Sequence, residues 1–309
     1  MNQPKRTKID TRTPFDNGTL MKWMYCFEQT YPFFQFEHLC KSILDHPIPI
    51  IKLGKGSRKI LYVGAHHGME WITSAMLVQF VEEFCYATAT NRRIGNHLPS
   101  MVYETHTLYV IPMLNPDGVE YQIHGIEEDN PLYTRLLAMN HESKDFSHWQ
   151  ANARGVDLNH NYDAGFEEYK TLESENGILG GAPTRYSGES SESEPEVRAL
   201  CNFIRYHSDL RGVMSLHTQG EEIFYKSGSK VLPQTRAIAA RLANLSGYCL
   251  SNAEGLASYG GLTDWCVQKM NLPAFTVECG KGKNPLPFDN LPLIYGCIRN
   301  MLFSFPLLL

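Results

Sequence analysis

Lys59-Ile60-Leu61-Tyr62-Val63-Gly64-Ala65-His66-His67-Gly68-Met69-Glu70 decides the fold. Its first half is a short apolar, β-branched run that reads as a buried strand. From Glu70 on, Ile72, Met76, Leu77, Phe80, Val81 and Phe84 recur at helical spacing, so a helix over residues 70–87 follows at once. His67 and Glu70 thus stand where a strand hands over to a helix. Far downstream, residues 212–216 form a second apolar run that delivers His217. Two ligands close in sequence and a third from a distant strand give zinc three protein atoms and leave a fourth position for water or substrate, the pattern of a catalytic zinc site.

Working outward, an aromatic-rich helical segment over residues 1–45 precedes a first strand at Ile48-Pro49-Ile50-Ile51-Lys52-Leu53, and residues 46–309 form one globular catalytic unit. Residues 105–113 read as a buried strand closed by the turn signal Asn115-Pro116-Asp117-Gly118. Residues 140–190 are polar and Gly-rich and read as a long functional loop, because apolar elements resume on both sides. Helices are expected over 192–207, 232–246 and 261–270, and a strand at Pro273-Ala274-Phe275-Thr276-Val277 ends at Glu278. The acidic stretch at 189–194 reads as a helix N-terminus whose carboxylates and serines cap free amides. The apolar tail at 301–309 reads as a last helix or strand on the body. Alternating strands and helices imply an α/β sheet covered on both faces, with its site at the carboxyl ends of the strands. His67, His217 and Glu278 all fall at such ends.

The chain has 309 residues, 43% hydrophobic and 20% charged, which suits one domain with a large core. With a net charge of -5 and a pI of 6.2, it shows no electrostatic footprint for nucleic acid or an anionic membrane. Its basic cluster, Lys5-Arg6-Thr7-Lys8, reads as a solvated tail, and the residues after it lack the apolar core of a secretory signal. No stretch approaches ~18 consecutive apolar residues, so no membrane span is expected. The eight cysteines form no C-x-x-C pair and read as thiols of a reducing compartment, so a cytoplasmic location is expected.

A lone H-x-x-E is a weak signal, and the chain carries its own control in His124-Gly125-Ile126-Glu127, which runs into Glu128-Asp129-Asn130-Pro131 with no helix to hold the carboxylate. The control lacks the partners that the first copy has. His67-Gly68-Met69-Glu70, Asn115-Pro116-Asp117-Gly118, Asn152-Ala153-Arg154-Gly155-Val156-Asp157-Leu158-Asn159, Ser193-Glu194-Pro195-Glu196, Leu216-His217 and Thr276-Val277-Glu278 come in the order seen in zinc carboxypeptidases of the carboxypeptidase A type. The chain resembles that family over roughly residues 50–300. Phrases such as His217-Thr218-Gln219-Gly220-Glu221-Glu222-Ile223 and Ser258-Tyr259-Gly260-Gly261-Leu262-Thr263-Asp264-Trp265 are similar to bacterial γ-D-glutamyl-diamino acid peptidases that cut murein peptides.

The resemblance implies a mixed, mostly parallel twisted sheet flanked by helices on both faces, and a zinc peptidase with one Zn2+ per chain. It makes His67, Glu70 and His217 the zinc ligands and Glu278 the general base. Zinc lowers the pKa of its water to ~7, and a nearby carboxylate can then move the proton. Arg154 resembles the arginine that supports the developing oxyanion. Asp157 resembles the carboxylate that receives the other ring N–H of the first histidine ligand, and His66 is expected to pack beside the site. Asn159 and His160 stand where digestive carboxypeptidases place an Asn-Arg clasp for the terminal carboxylate, so either another base compensates or the substrate's end differs. Gap-free spacing from Glu278 puts Leu256 where the family has its mobile tyrosine, Tyr259 three residues on is the candidate for that role, and Thr263 falls where side-chain preference is tuned. The implied partner is a peptide, most simply a murein peptide of the γ-D-Glu-diaminopimelate type. Rival readings are an ordinary metallocarboxypeptidase on L-peptides, an N-acyl amino acid deacylase and a catalytically inert zinc- or peptide-binding domain.

Overall fold

The computed structural model describes residue 4 and residues 6–309. Among these residues eight strands, β1 (Gln35–Lys41), β2 (Pro47–Gly54), β3 (Arg58–Val63), β4 (His106–Ile111), β5 (Leu210–His217), β6 (Glu222–Phe224), β7 (Cys249–Leu250) and β8 (Ala274–Glu278), make one sheet in the order β1-β2-β4-β3-β5-β8-β6-β7. The centre, β4-β3-β5-β8, is parallel. Antiparallel pairs join it to β2 and β1 on one side and to β6 on the other.

Among the described residues ten helices surround the sheet: α1 (Asn17–Thr30), α2 (Ile72–Thr90), α3 (Pro99–Thr105), α4 (Pro116–His124), α5 (Tyr133–Met139), α6 (Phe166–Glu175), α7 (Pro195–Tyr206), α8 (Thr235–Ser246), α9 (Leu262–Trp265) and α10 (Leu291–Ser304). Side chains alternate across a strand, and here the alternation feeds two cores. Ile60 and Tyr62 of β3, Leu108 and Val110 of β4, and Phe275 and Val277 of β8 pack with α1, α2, α8 and α10. Leu61 and Val63, Tyr109 and Ile111, and Ala274 face the opposite side, against Val197, Leu200 and Ile204 of α7 and Trp265 of α9. The expected α/β sheet covered on both faces is therefore present.

Several local expectations differ from the structure. The N-terminal segment is more than helical, because after α1 it supplies the edge strand β1. Asn115-Pro116-Asp117-Gly118 starts α4 instead of closing a turn: Asn115 accepts the Gly118 amide at 2.9 Å, and proline suits the first helical position. The long polar loop contains α6. At the start of α7, Glu194 occupies the cap position without capping, its side chain being committed to Asn152 and Ser193. The basic run is not simply a solvated tail either. Lys5 lies outside the described residues, while Arg6 reaches Glu82 and Glu83 of α2.

Residues Phe288–Leu308, which contain α10, form a 21-residue stretch that includes an 18-residue run of mean hydropathy 1.3, long and apolar enough to cross a bilayer by length and composition. Ile298, Met301 and Leu302 within it are fully buried against the sheet. All eight cysteines are free.

Candidate metal centre and substrate cavity

The loop after β3 carries His67 at the entrance to a short helical turn, Gly68–Glu70, that leads into α2. Gly68 allows this loop to lie against the start of α4: a Cβ there would sit 2.3 Å from the Gly118 carbonyl oxygen and 2.8 Å from that of Trp149. Asn115 ties the same junction together by donating to the carbonyls of His66 (3.0 Å) and Gln150 (3.1 Å). The backbone that presents His67 is thus held from both sides.

β3 and β5 are parallel neighbours, so the carboxyl end of β5 brings His217 to the same edge. His67 Nδ1 lies 3.0 Å from one oxygen of Glu70, and His217 Nδ1 lies 3.2 Å from the other. The two Nδ1 atoms are 3.4 Å apart. Each ring's Nε2 is already engaged, His67 with Asp157 Oδ1 and His217 with Ser215 Oγ, both at 3.0 Å. A ring that donates from Nε2 is a neutral ligand at Nδ1. Three lone-pair donors facing one point at these separations fit a tetrahedral zinc, whose bonds of about 2.0–2.1 Å hold its ligands roughly 3.3 Å apart. The decoy histidine is placed differently: His124 meets Asp16 and Glu120 at the protein surface, without Glu127.

The electrostatics match this donor set. Burial alone would raise the Glu70 carboxyl, but the neighbouring His67 and His217 hold it down at about 2. Burial would lower His67, yet Glu70 and Asp157 outweigh it and raise the ring's affinity for a proton. His66 is fully buried, with its Nε2 3.0 Å from the Tyr162 hydroxyl and its ring stacked on His217 at 5.1 Å. Burial, with His217 and His67 beside it, keeps His66 neutral.

Glu278 ends β8 directly opposite His217 of β5 and shares a cavity with both histidines. No hydrogen bond reaches its carboxyl among the described residues. Burial, then the negative charge of Glu70, pushes its pKa well up. A carboxyl without a hydrogen-bond partner beside a cluster of metal-ligand atoms is placed for proton transfer.

The remaining expected residues fall into two groups. Asp157 is buried and accepts from His67, from the Asn159 amide (3.1 Å) and, at its other oxygen, from the Arg185 amide (3.1 Å). Asn159, His160 and Thr263 line the cavity, and Thr263 Oγ1 meets Thr276 Oγ1 at 2.7 Å. His160 is fixed on two sides: Nδ1 donates to the Tyr259 carbonyl at 2.9 Å, and its ring stacks on Tyr169 at 3.9 Å. Burial lowers its pKa.

Arg154 and Tyr259 are not brought to this cavity. The guanidinium of Arg154 lies 3.7 Å from Glu194, half exposed, because Glu194 arrives from the start of α7 and supplies the nearer charge. Tyr259 borders an adjoining cavity with Lys226 and Asp264, and its ring covers Gly165. Three contributors escaped the sequence reading. Arg185 and Lys226 line the cavity from segments with no signature. Ser215, two residues before His217, was legible, because residues i and i+2 of a strand share a face.

Comparison with known proteins adds the wider context. The sequence pattern of the zinc carboxypeptidase family matches residues 20–294. The chain is 34% identical over 287 residues to γ-D-glutamyl-L-diamino acid endopeptidase 1 of Lysinibacillus sphaericus, covering 93% of this chain and 71% of that protein. Its fold superposes on bovine thrombin-activatable fibrinolysis inhibitor, solved with a tick carboxypeptidase inhibitor, with a TM-score of 0.73 at 19% identity over 96% of this chain and 97% of the other. The murein-tripeptide amidase of Escherichia coli O157 gives a TM-score of 0.55 at 22% identity, covering 88% and 91%.

Proposed function

Because the chain belongs to the zinc carboxypeptidase family and is an enzyme of metallocarboxypeptidase type, we propose that it hydrolyses an amide next to a C-terminal or diamino-acid residue in a murein peptide of the γ-D-Glu-diaminopimelate type. One zinc ion per chain is held by His67 Nδ1, Glu70 and His217 Nδ1. When bound there, zinc supplies a water of lowered pKa and a Lewis acid for the scissile carbonyl.

The protein's own groups do the rest. Glu278 takes the proton of the attacking water and returns it to the leaving nitrogen, a role supported by its place opposite His217 in the same cavity. Asp157 and Ser215 fix the tautomers of His67 and His217. Asn159 and Thr263 line the space for the departing residue.

The observation that carries the choice of substrate is His160. It is buried, kept neutral and already donating from Nδ1 to Tyr259, so it does not supply the grip of an Asn-Arg clasp, and the substrate's end is held in another way than in digestive carboxypeptidases. The 34% identity to a γ-D-glutamyl-L-diamino acid endopeptidase supports the same choice.

The test is incubation of the zinc-loaded protein with a defined murein tetrapeptide, a panel of L-peptides and N-acyl amino acids, each with and without chelator, followed by mass spectrometry. Chelator-sensitive cleavage at the γ-D-Glu-diaminopimelate bond, faster than at any L-peptide, is expected. Faster release of ordinary C-terminal residues overturns the substrate assignment.

A further inference from the structure

Where the resemblance implies an arginine the cavity above the metal ligands has the neutral His160, and two cations stand elsewhere on its wall. Arg185 and Lys226 both line it, and neither side chain has an ion-pair or hydrogen-bond partner among the described residues. An unpaired cation on a cavity wall retains its full capacity for an incoming anion.

Arg185 is also placed with care. Its amide donates 3.1 Å to Asp157 Oδ2, and the other oxygen of that carboxylate orients His67. Its carbonyl accepts the Tyr169 hydroxyl at 3.0 Å, and the face of the same tyrosine stacks on His160. One side chain therefore positions both the residue that fails to clasp an anion and a cation that can. The backbone holds φ at +67° at Arg185, a conformation that costs a non-glycine residue energy and persists only where surrounding bonds enforce it. His160 cannot serve in the same way. With Nδ1 donating to a carbonyl, its neutral ring presents a lone pair at Nε2, which repels a carboxylate and suits a donor.

We propose that Arg185 and Lys226 together hold a carboxylate of the peptide substrate, replacing the clasp that His160 does not provide. This rests on the reading that the peptide is cut in the cavity over His67 and His217, but not on the identity of the bond that is cut. The pair selects substrates by a free carboxylate, and Nε2 of His160 favours an amino or amide N–H beside it.

The experiment compares otherwise identical substrates that end in a free carboxylate or a carboxamide, on the zinc-loaded full chain and its Arg185→Met and Lys226→Met variants. Each variant is expected to raise KM for the carboxylate form by about ten-fold or more, the loss of one charge-assisted hydrogen bond, with kcat and the carboxamide form little changed. Arg185→Lys should recover part of the loss. Equal losses on both substrates, or an unchanged KM in both variants, overturn the proposal. Calorimetric binding of free diaminopimelate and its amide needs no turnover: carboxylate-dependent binding that both variants lose supports the clasp even if no murein peptide is cut, and binding that they keep counts against it. Failure of the unaltered protein to cut murein peptides counts against the proposed function alone.

Discussion

His67 Nε2 and Asp157 Oδ1 lie 3.0 Å apart, and this contact determines that Nδ1 is the nitrogen left facing Glu70 and His217. Burial alone would raise the Asp157 carboxyl, but His67 and His160 hold it far below the usual carboxylate range, so it stays charged. An anionic acceptor fixes the ring and makes it a better ligand. Asp157→Asn is expected to weaken zinc binding by about 10- to 100-fold, measured by competition with a chromophoric chelator; unchanged affinity would remove Asp157 from this role.

Glu278 has a different assignment and a different signature. Glu278→Gln keeps the size of the side chain and lies outside the ligand set, so one zinc per chain should remain bound. Hydrolysis should fall by about 10²- to 10⁴-fold, the usual worth of a positioned acid-base group. Metal analysis alongside steady-state kinetics checks both halves, and a variant with full activity would rule out the mechanism.

Metal and proton compete for His67. Without metal its affinity for a proton is raised by Glu70 and Asp157, so near neutral pH the ring is charged and zinc must displace that proton. Zinc affinity should therefore rise with pH up to the raised pKa and level off above it. Calorimetry near pH 6.5 in buffers of different ionisation enthalpy should show about one proton released per zinc; no release would mean that the ring is already neutral.

Glu196 gives the fold a pH dependence of its own. Its carboxyl is fully buried without a well-formed hydrogen bond, and burial raises its pKa to about 8. Between an unfolded value of 4.5 and about 8 the native state binds the extra proton, so stability falls as pH rises through that window. Glu196→Gln removes the penalty, worth on the order of 3 kcal/mol at pH 7. Thermal unfolding from about pH 5 to 8 should show a flatter profile and a higher midpoint at neutral pH; an identical slope contradicts this.

Arg154 offers a negative control. Its 3.7 Å contact with Glu194 is half exposed, and such pairs contribute about 0–1 kcal/mol. Arg154→Ala should change kcat by less than about threefold, within that range. A collapse of kcat would instead mean that the side chain swings to the cavity during turnover.

The ligand-bearing elements were legible because β3, β5 and β8 are short buried runs with abrupt ends, and an abrupt end at the carboxyl side of a parallel strand is where such folds place chemistry. β1 was not, since Gln35–Lys41 is a largely solvent-facing edge strand without a continuous apolar signal. Asn115-Pro116 is ambiguous in sequence because the same residues suit a turn and a helix start; packing of α4 against the Gly68 loop decides it. The direction of the Arg154 side chain was not legible, because nearness along the chain to Asp157 says nothing of it, and Glu194, about forty residues away, lies 3.7 Å from the guanidinium. Arg185 lies in a polar loop whose only guide is tertiary structure.

His217 and Glu278 face each other as paired residues of adjacent parallel strands. Their spacing is therefore written in main-chain hydrogen bonds, with no dependence on how any helix happens to pack. Substitutions in α2, α8 or α10 can accumulate, and those helices can drift, without separating the metal ligand from the base. A slip of one residue between β5 and β8 would instead turn one of the two to the far side of the sheet, together with the core side chains of its strand, and lose packing and chemistry at once. Evolution in this scaffold is free to alter the walls and the rim while the chemistry travels with the register.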